Sequence, residues 1–204
     1  MRNFDTTGHA LGTSLFIDDL PEPAGLLHAA VVCSAVARGR IVSVDVSRAE
    51  TADGVVRVLV RADIPGPNQI GGIIADEPLL AEDEVHFIGQ PIAAVLATSR
   101  RAAELALSQV VVAIEPLEPV LDPRQAAARG SLIAPSRTIC CGDVDAAFAK
   151  CAVIVEGIAE TGGQEHLYLE TQGAMAVPLE RGRYRIFSST QAPTAVQRTA
   201  ARAV

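Results

Sequence analysis

An α+β fold in two parts is what the sequence predicts, and three observations predict it. Strand-like and helix-like runs mix through the first half. Residues 116–142 then carry prolines at 116, 119, 123 and 135 with few regular apolar positions, as a connector between domains does. Beyond the connector, strand-like runs follow one another in meander order and end in a helical pattern. The expected boundaries are a first domain over 1–120, a linker over 121–141 and the start of a second domain over 142–204.

Apolar residues make up 49% of the 204 positions, so a core of Val, Ile, Leu and Ala is within reach; aromatics are 3% and Trp is absent. The formal net charge of -7 gives no basis for binding nucleic acid or an anionic membrane surface. No apolar run reaches the roughly 18 residues that span a bilayer, and "MRNFDTTGHALGTSLF" has no signal-peptide core. A soluble cytoplasmic protein is the expectation. Cys33, Cys140, Cys141 and Cys151 form no C-x-x-C pair and no iron–sulfur spacing, and the vicinal pair would close only a strained disulfide. They are expected to be structural or incidental thiols.

The first half reads as follows. "AAVVCS" and "RIVSVDVS" are strands, the second with apolar Ile41, Val42, Val44 and Val46. Ser47 is expected to cap a short helix ending before Gly54, and "GVVRVLV" is the next strand. "RADIPGPNQIGGIIADEPLLAEDEVHFIG", with four Gly and three Pro, predicts a long ordered loop with a small strand at "VHFIG". The continuous apolar run "QPIAAVLAT" predicts a fully buried strand. Ser99 then caps "RRAAELALSQ", with Leu105 and Val110 expected inward, and "VVVAIEPL" closes a strand–helix–strand unit. The turn between strand and helix is not Gly-rich, so no dinucleotide fingerprint is present.

In the second part Asp143 is expected to cap "VDAAFAK", and strands are expected at "CAVIVEGIAET", "GGQEHLYLETQ", "GAMAVPLE" and "RYRIFSST". Ser189 or Thr190 is the expected cap of the last helix, with Pro193 in its first turn. That Ala-rich helical pattern runs to Val204 without a C-cap, which leaves two readings from this feature, a truncated chain and a frayed terminal helix.

"GGQEHLYLETQ" concentrates polar side chains on even positions: Gln164, His166, Tyr168, Glu170 and Gln172. A catalytic dyad, a metal site and a structural network are the three readings. On a strand, His166 and Glu170 stand about 13 Å apart, too far to share one metal, whereas His166 and Tyr168 stand about 6.6 Å apart on one face. A supporting polar network of Gln164, His166, Tyr168 and Glu170 is therefore expected, with no metal ligands. His9, His28 and His86 have no partners at ligand spacing, and "AEDEV" at 81–85 reads as a solvated face.

"SLFIDDLPEPAGLLHAAVVCS", "ADIPGPNQIGGIIADEPLLAEDEVHFIGQPIAAVLA", "GGQEHLYLETQGAMAVP" and "SSTQAPTAVQR" together resemble the molybdenum hydroxylases of the xanthine dehydrogenase / aldehyde oxidase family, most closely the start of a xanthine dehydrogenase molybdenum subunit. The resemblance covers about Gly12 to Val204. It implies a small α/β hammerhead domain followed by the truncated start of a molybdopterin-binding α+β domain. It also implies oxidative hydroxylation of a purine, hypoxanthine or xanthine to urate, with water as oxygen source. The implied cofactor is molybdopterin-molybdenum, with Fe-S clusters and FAD on a partner chain or domain. The implied partners are that iron–sulfur/FAD subunit and the remainder of the molybdenum subunit, in a hetero-oligomer. The family's Gly-rich "GGGFGGKE"-type stretch and its catalytic glutamate base do not occur among these 204 residues, so no catalytic residue is expected within them and the chain alone is expected to be inactive. A non-catalytic assembly module of a split enzyme, or an aldehyde oxidase-type fragment, are the alternatives. The "STQ" of the family matches Ser189-Thr190-Gln191. Locally, Gln191 reads as a residue capping its own helix; the resemblance instead implies that it approaches the molybdenum's oxo group as a hydrogen-bond donor.

Overall fold

The apolar run Pro91–Ala97 forms β5, the central strand of a three-stranded antiparallel sheet in the computed structural model, which describes residues 4–204. β5 pairs on one side with β1 (His28–Cys33) and on the other with β3 (Val55–Val60). Ala93 and Val95 on one face of β5 enter one core cluster and Ile92 on the other face enters a second, so neither face is left to solvent and the apolar residues are continuous rather than alternating. A second antiparallel sheet orders β4 (Glu84–Val85), β2 (Gly39–Asp45) and β6 (Val111–Pro116). The expected strand at "VHFIG" is thus the two residues Glu84 and Val85. The strand–helix–strand unit also differs from expectation, because β5 and β6 end in different sheets.

Between them runs α3 (Arg100–Leu107), opened by Ser99, whose Oγ accepts the Ala102 N–H at 3.2 Å. The helix buries Ala103 and Ala106, whereas Leu105 is 60% exposed. Small side chains let the helix axis approach the sheet, so the alanines take the inward face assigned from the sequence to Leu105; Val110 is buried as expected. The core has two clusters, one around Val32, Val58, Ala93 and Val95, the other around Ala81, Val85 and Ile92; Val44 and Val112 pack against both.

Two further helices precede α3. α1 (Phe4–Leu11) was not anticipated, and α2 (Ser47–Glu50) begins one residue before its expected start. Ser47 is the first helical residue and not the cap: Asp45 Oδ1 accepts its N–H at 3.0 Å. That bond and the one from the Ser47 side chain hold the Asp45 carboxyl below its ordinary value.

Within the connector α4 (Pro123–Ala128) is capped by Asp122, and beyond it α5 (Val144–Phe148) is capped by Asp143. α4 interrupts the segment expected to be linker throughout. β7 (Ala174–Leu179) and β8 (Arg183–Ser188) form an antiparallel hairpin around Glu180–Gly182, where Gly182 adopts φ 67°, a conformation glycine takes without strain. α6 (Pro193–Ala203) follows. None of residues 151–167 is paired in a strand, so the strands expected at "CAVIVEGIAET" and "GGQEHLYLETQ" are not formed. The expected meander of three or four strands reduces to one hairpin.

By contacts the chain divides into two units. One comprises residues through Pro119 together with Tyr168–Val204; the other is Val120–Leu167. Among the described residues no helix is long and apolar enough to cross a membrane.

Candidate functional site

Gln191 lies in the turn between β8 and α6, with its side chain exposed. Three local bonds frame it. Ser189 closes the base of the hairpin: its N–H donates to the Gly173 carbonyl at 3.0 Å, and its Oγ accepts the Gly173 N–H at 2.8 Å. Thr190 Oγ1 accepts the Ala192 N–H at 3.0 Å, bridging directly over Gln191. The expected cap is corrected by this arrangement. Ala192 is the residue at the cap position of α6, and no side chain caps the helix. Its first N–H groups and the positive end of its dipole are left available to a negatively polarised group.

Beside this turn, the outer face of the hairpin and one side of α6 border an open groove of about 990 Å³. Ser188, Thr190, Thr194 and Gln197 contribute hydroxyl and amide groups to its wall, and Tyr184, Ile186 and Val196 contribute apolar surface. Arg183 is the charged residue of the lining, which contains no carboxylate. Ser188, Thr190 and Thr194 lie by the uncapped helix start, Arg183 stands at the far end of β8, and Gln191 follows Thr190 without itself lining the groove; hydroxyl donors at a helix start suit an anionic ligand such as a molybdopterin.

The four residues of the expected polar network lie on the two sides of a unit boundary. Gln164 and His166 belong to the Val120–Leu167 unit, in an exposed extended segment where the His166 N–H donates to Glu165 Oε1 at 2.9 Å. Leu167 there adopts φ 48°. With no strand formed, the period-two face that would have aligned Gln164, His166 and Tyr168 is absent. Tyr168 and Glu170 belong to the other unit, Tyr168 55% exposed and Glu170 half-buried. Glu170 Oε1 accepts the Ile17 N–H at 2.6 Å, joining residues 153 positions apart.

A second long-range contact was not legible beforehand. The Gly66 N–H donates to the Ala203 carbonyl at 3.1 Å, so the last turn of α6 rests on the 61–90 loop. The backbones meet so closely that a Cβ at Gly66 would overlap the Arg202 carbonyl. The loop itself is braced. Asp63 accepts the Val60 N–H at 2.8 Å and the Arg57 guanidinium at 2.5 Å, and these bonds hold its carboxyl below the ordinary value. Asn68 donates to the Leu80 carbonyl at 2.7 Å and accepts its N–H at 2.9 Å. Glu82 takes bonds from Asn68 at 3.0 Å and Arg61 at 2.8 Å, which lower its carboxyl likewise. A glycine between two prolines, Pro65-Gly66-Pro67, was the available sequence signal for a close approach.

The family model "Aldehyde oxidase and xanthine dehydrogenase, a/b hammerhead domain" matches residues 11–118. The chain belongs to the aldehyde oxidase and xanthine dehydrogenase family. A second model, "Molybdopterin cofactor-binding domain", matches residues 127–204. Aldehyde oxidase 2 of Macaca fascicularis is 38% identical over 193 residues, 94% of this chain and 14% of that protein. Xanthine dehydrogenase of Oryza sativa subsp. japonica is 37% identical over 186 residues, 89% of this chain and again 14% of the relative. Among solved structures, the aldehyde oxidoreductase of Desulfovibrio gigas superposes with a TM-score of 0.81 at 29% identity, over 92% of this chain and 23% of that one. The chain thus spans about a seventh of the curated relatives, at 14%. The expected fold, a hammerhead domain followed by the start of a molybdopterin-binding domain, is the fold found.

Proposed function

We propose that this chain contributes the hammerhead domain and the opening of the molybdopterin-binding domain to a molybdenum hydroxylase, with Gln191 contacting the metal centre. The observation that carries this reading is the position of Gln191, at the uncapped start of α6 and next to Thr190, which lines a groove without Asp or Glu. The molybdopterin cofactor, when bound, supplies a metal that activates water and takes up the electrons of the oxidation. The Gln191 carboxamide donates an N–H to an oxo acceptor without adding charge. The α6 N-terminus favours negative charge at the same place. Glu170, through its bond to Ile17, braces the segment leading into the hairpin.

The proposed reaction is oxidative hydroxylation of a purine, hypoxanthine or xanthine to urate, in the cytoplasm. Its electrons pass to iron–sulfur clusters and FAD on a partner chain or domain, within an assembly that also supplies the rest of the molybdenum subunit. The purine reading is supported by the resemblance of "GGQEHLYLET" to the xanthine-type version. An aldehyde substrate is the second reading, supported by the likeness to the aldehyde oxidoreductase of Desulfovibrio gigas, with a TM-score of 0.81.

The test uses the molybdenum-loaded enzyme that contains this chain. Gln191→Ala is expected to retain molybdenum and to alter its paramagnetic resonance signal; an unaltered signal overturns the contact. Turnover of xanthine but not of aromatic aldehydes supports the purine substrate, and the reverse selectivity overturns it.

A further inference from the structure

Gln191 stands at the end of a segment that bonds from two other residues of this chain, Glu170 and Ser189, hold in place. Glu170 Oε1 holds the Ile17 N–H at 2.6 Å. Gly173 lies against this pair: a Cβ placed on it would stand 3.3 Å from Ile17 Cδ1 and 3.6 Å from Glu170 Oε1. Gly173 is in turn held by Ser189, through the main-chain bond of 3.0 Å and the Oγ bond of 2.8 Å, and the Ser189 hydroxyl also donates back to the Gly173 carbonyl at 3.3 Å. Two residues later stands Gln191, under the bridge from Thr190 Oγ1 to the Ala192 N–H. Bonds join Ile17 to Glu170 and Gly173 to Ser189, and the backbone runs on from Glu170 to Gly173 and from Ser189 to Gln191, all within one unit of the chain.

The chemistry of the two side chains fits fixing a backbone more than binding a ligand. Glu170 is half-buried, and its carboxylate faces a main-chain N–H far away in sequence. A charged acceptor on an amide donor makes a short, strong bond. Ser189 repeats the main-chain pairing of the last hairpin position with its hydroxyl, so the base of the hairpin cannot open without breaking three bonds. A carboxamide meeting an acceptor over hydrogen-bond distance tolerates an error of a few tenths of an ångström. A flexible turn would not hold it to that.

We propose that Glu170 and Ser189 are positioning residues that set where the Gln191 carboxamide stands relative to the metal centre. This rests on the reading of Gln191 given above. Neither residue touches the reacting groups; both act through Gln191.

The test compares Ser189→Ala, Glu170→Ala and Gln191→Ala in the molybdenum-loaded enzyme, reading molybdenum per chain, the paramagnetic resonance signal of the metal, and kcat and KM separately. Ser189→Ala leaves the main-chain pairing in place. It is expected to keep molybdenum occupancy, to shift the metal signal in the direction of Gln191→Ala, and to lower kcat about ten- to a hundred-fold with KM held within about twofold. Ser189→Thr, which keeps the hydroxyl, and Glu170→Gln, which keeps the acceptor, are expected to restore the wild-type signal. Adding Ser189→Ala to Gln191→Ala is expected to change the signal no further. A wild-type signal in Ser189→Ala beside an altered one in Gln191→Ala overturns the positioning role and leaves the Gln191 contact standing. An unaltered signal in Gln191→Ala overturns that contact and the positioning role with it. If either alanine variant loses molybdenum or fails to fold while its conservative variant also fails to restore the signal, the residue is structural only and the proposal is overturned.

Discussion

Gly66→Ala isolates the contact between the 61–90 loop and α6. Gly66 is not in a left-handed conformation, so alanine is free to adopt its backbone and only the close approach opposes the added methyl. The new Cβ overlaps the Arg202 carbonyl, and relief requires the last turn of α6 to move, which breaks the 3.1 Å bond from Gly66 N–H to Ala203. Losing that bond costs about 0.5–1.5 kcal/mol. Forcing a methyl into an occupied space costs about 1–3 kcal/mol when the structure yields only in part. The restricted unfolded chain returns about 0.4–1 kcal/mol. The balance is a destabilisation of about 1–3 kcal/mol, which is about 5- to 150-fold in a local opening equilibrium. Amide exchange over α6 is the assay, because the helix can undock without global unfolding; its amides should exchange faster by that factor. Gly72→Ala is the control. A Cβ there meets nothing within 4 Å, and its φ is also outside the left-handed range, so the entropic term acts alone and the variant should be neutral or slightly more stable. If Gly66→Ala matches Gly72→Ala, with α6 protection unchanged, the reasoning is refuted.

Three further outcomes follow from packing, capping and charge. Ile92→Ala removes a side chain 2% exposed in the cluster with Ala81 and Val85, and should cost about 2–5 kcal/mol in urea unfolding; a loss well under 1 kcal/mol would mean that the site collapses freely. Ser99→Ala removes the acceptor of the Ala102 N–H and should cost about 1 kcal/mol, while Ser99→Asp, which keeps an acceptor, should not. Asp63 has a folded value below its ordinary 3.8, so the unfolded chain binds the proton more readily. Its contribution is complete above 3.8 and is lost as pH falls through the lower folded value. Asp63→Asn should therefore lower stability at neutral pH and flatten the acid limb of a denaturation midpoint-against-pH curve; an acid limb as steep as wild type would sink the assignment.

Legibility in the sequence followed the range of the interaction. β5 declared itself through Pro91–Ala97 because burial on both faces writes a continuous apolar run, and Ser99 and Asp143 declared their helices because capping is settled within three residues. Where two short-range signals competed, the reading failed. Ser47 and Asp45 both cap well, and the carboxylate two positions upstream took the N–H. Leu105 was read as inward by hydrophobicity, yet Ala103 and Ala106 pack closer. The strand expected through Gln164–Gln172 rested on alternation, but strand formation needs a neighbour, and alternation does not specify one. Long-range partners left the least trace. Nothing near Glu170 announces Ile17, and nothing near Ala203 announces Gly66. Gln191 was singled out through the resemblance, since by local pattern a Gln at a helix start is ordinary.

The two long-range bonds also decide how the chain divides. The family models meet between residues 118 and 127, where the prolines of the connector begin to crowd. Contacts draw the line elsewhere: Tyr168–Val204 belongs with the residues up to Pro119. The physical reason is that this segment is pinned near both of its ends by groups from the hammerhead region. Glu170 takes the Ile17 N–H near its start, and the Ala203 carbonyl takes the Gly66 N–H near its finish. Between the pins lie the β7–β8 hairpin, its closure by Ser189, and Gln191. A hairpin of two strands is marginal by itself in water, so it owes its fixed position to those two attachments. A substitution at Ile17 or Gly66 therefore acts on this segment through one of the two bonds that hold it.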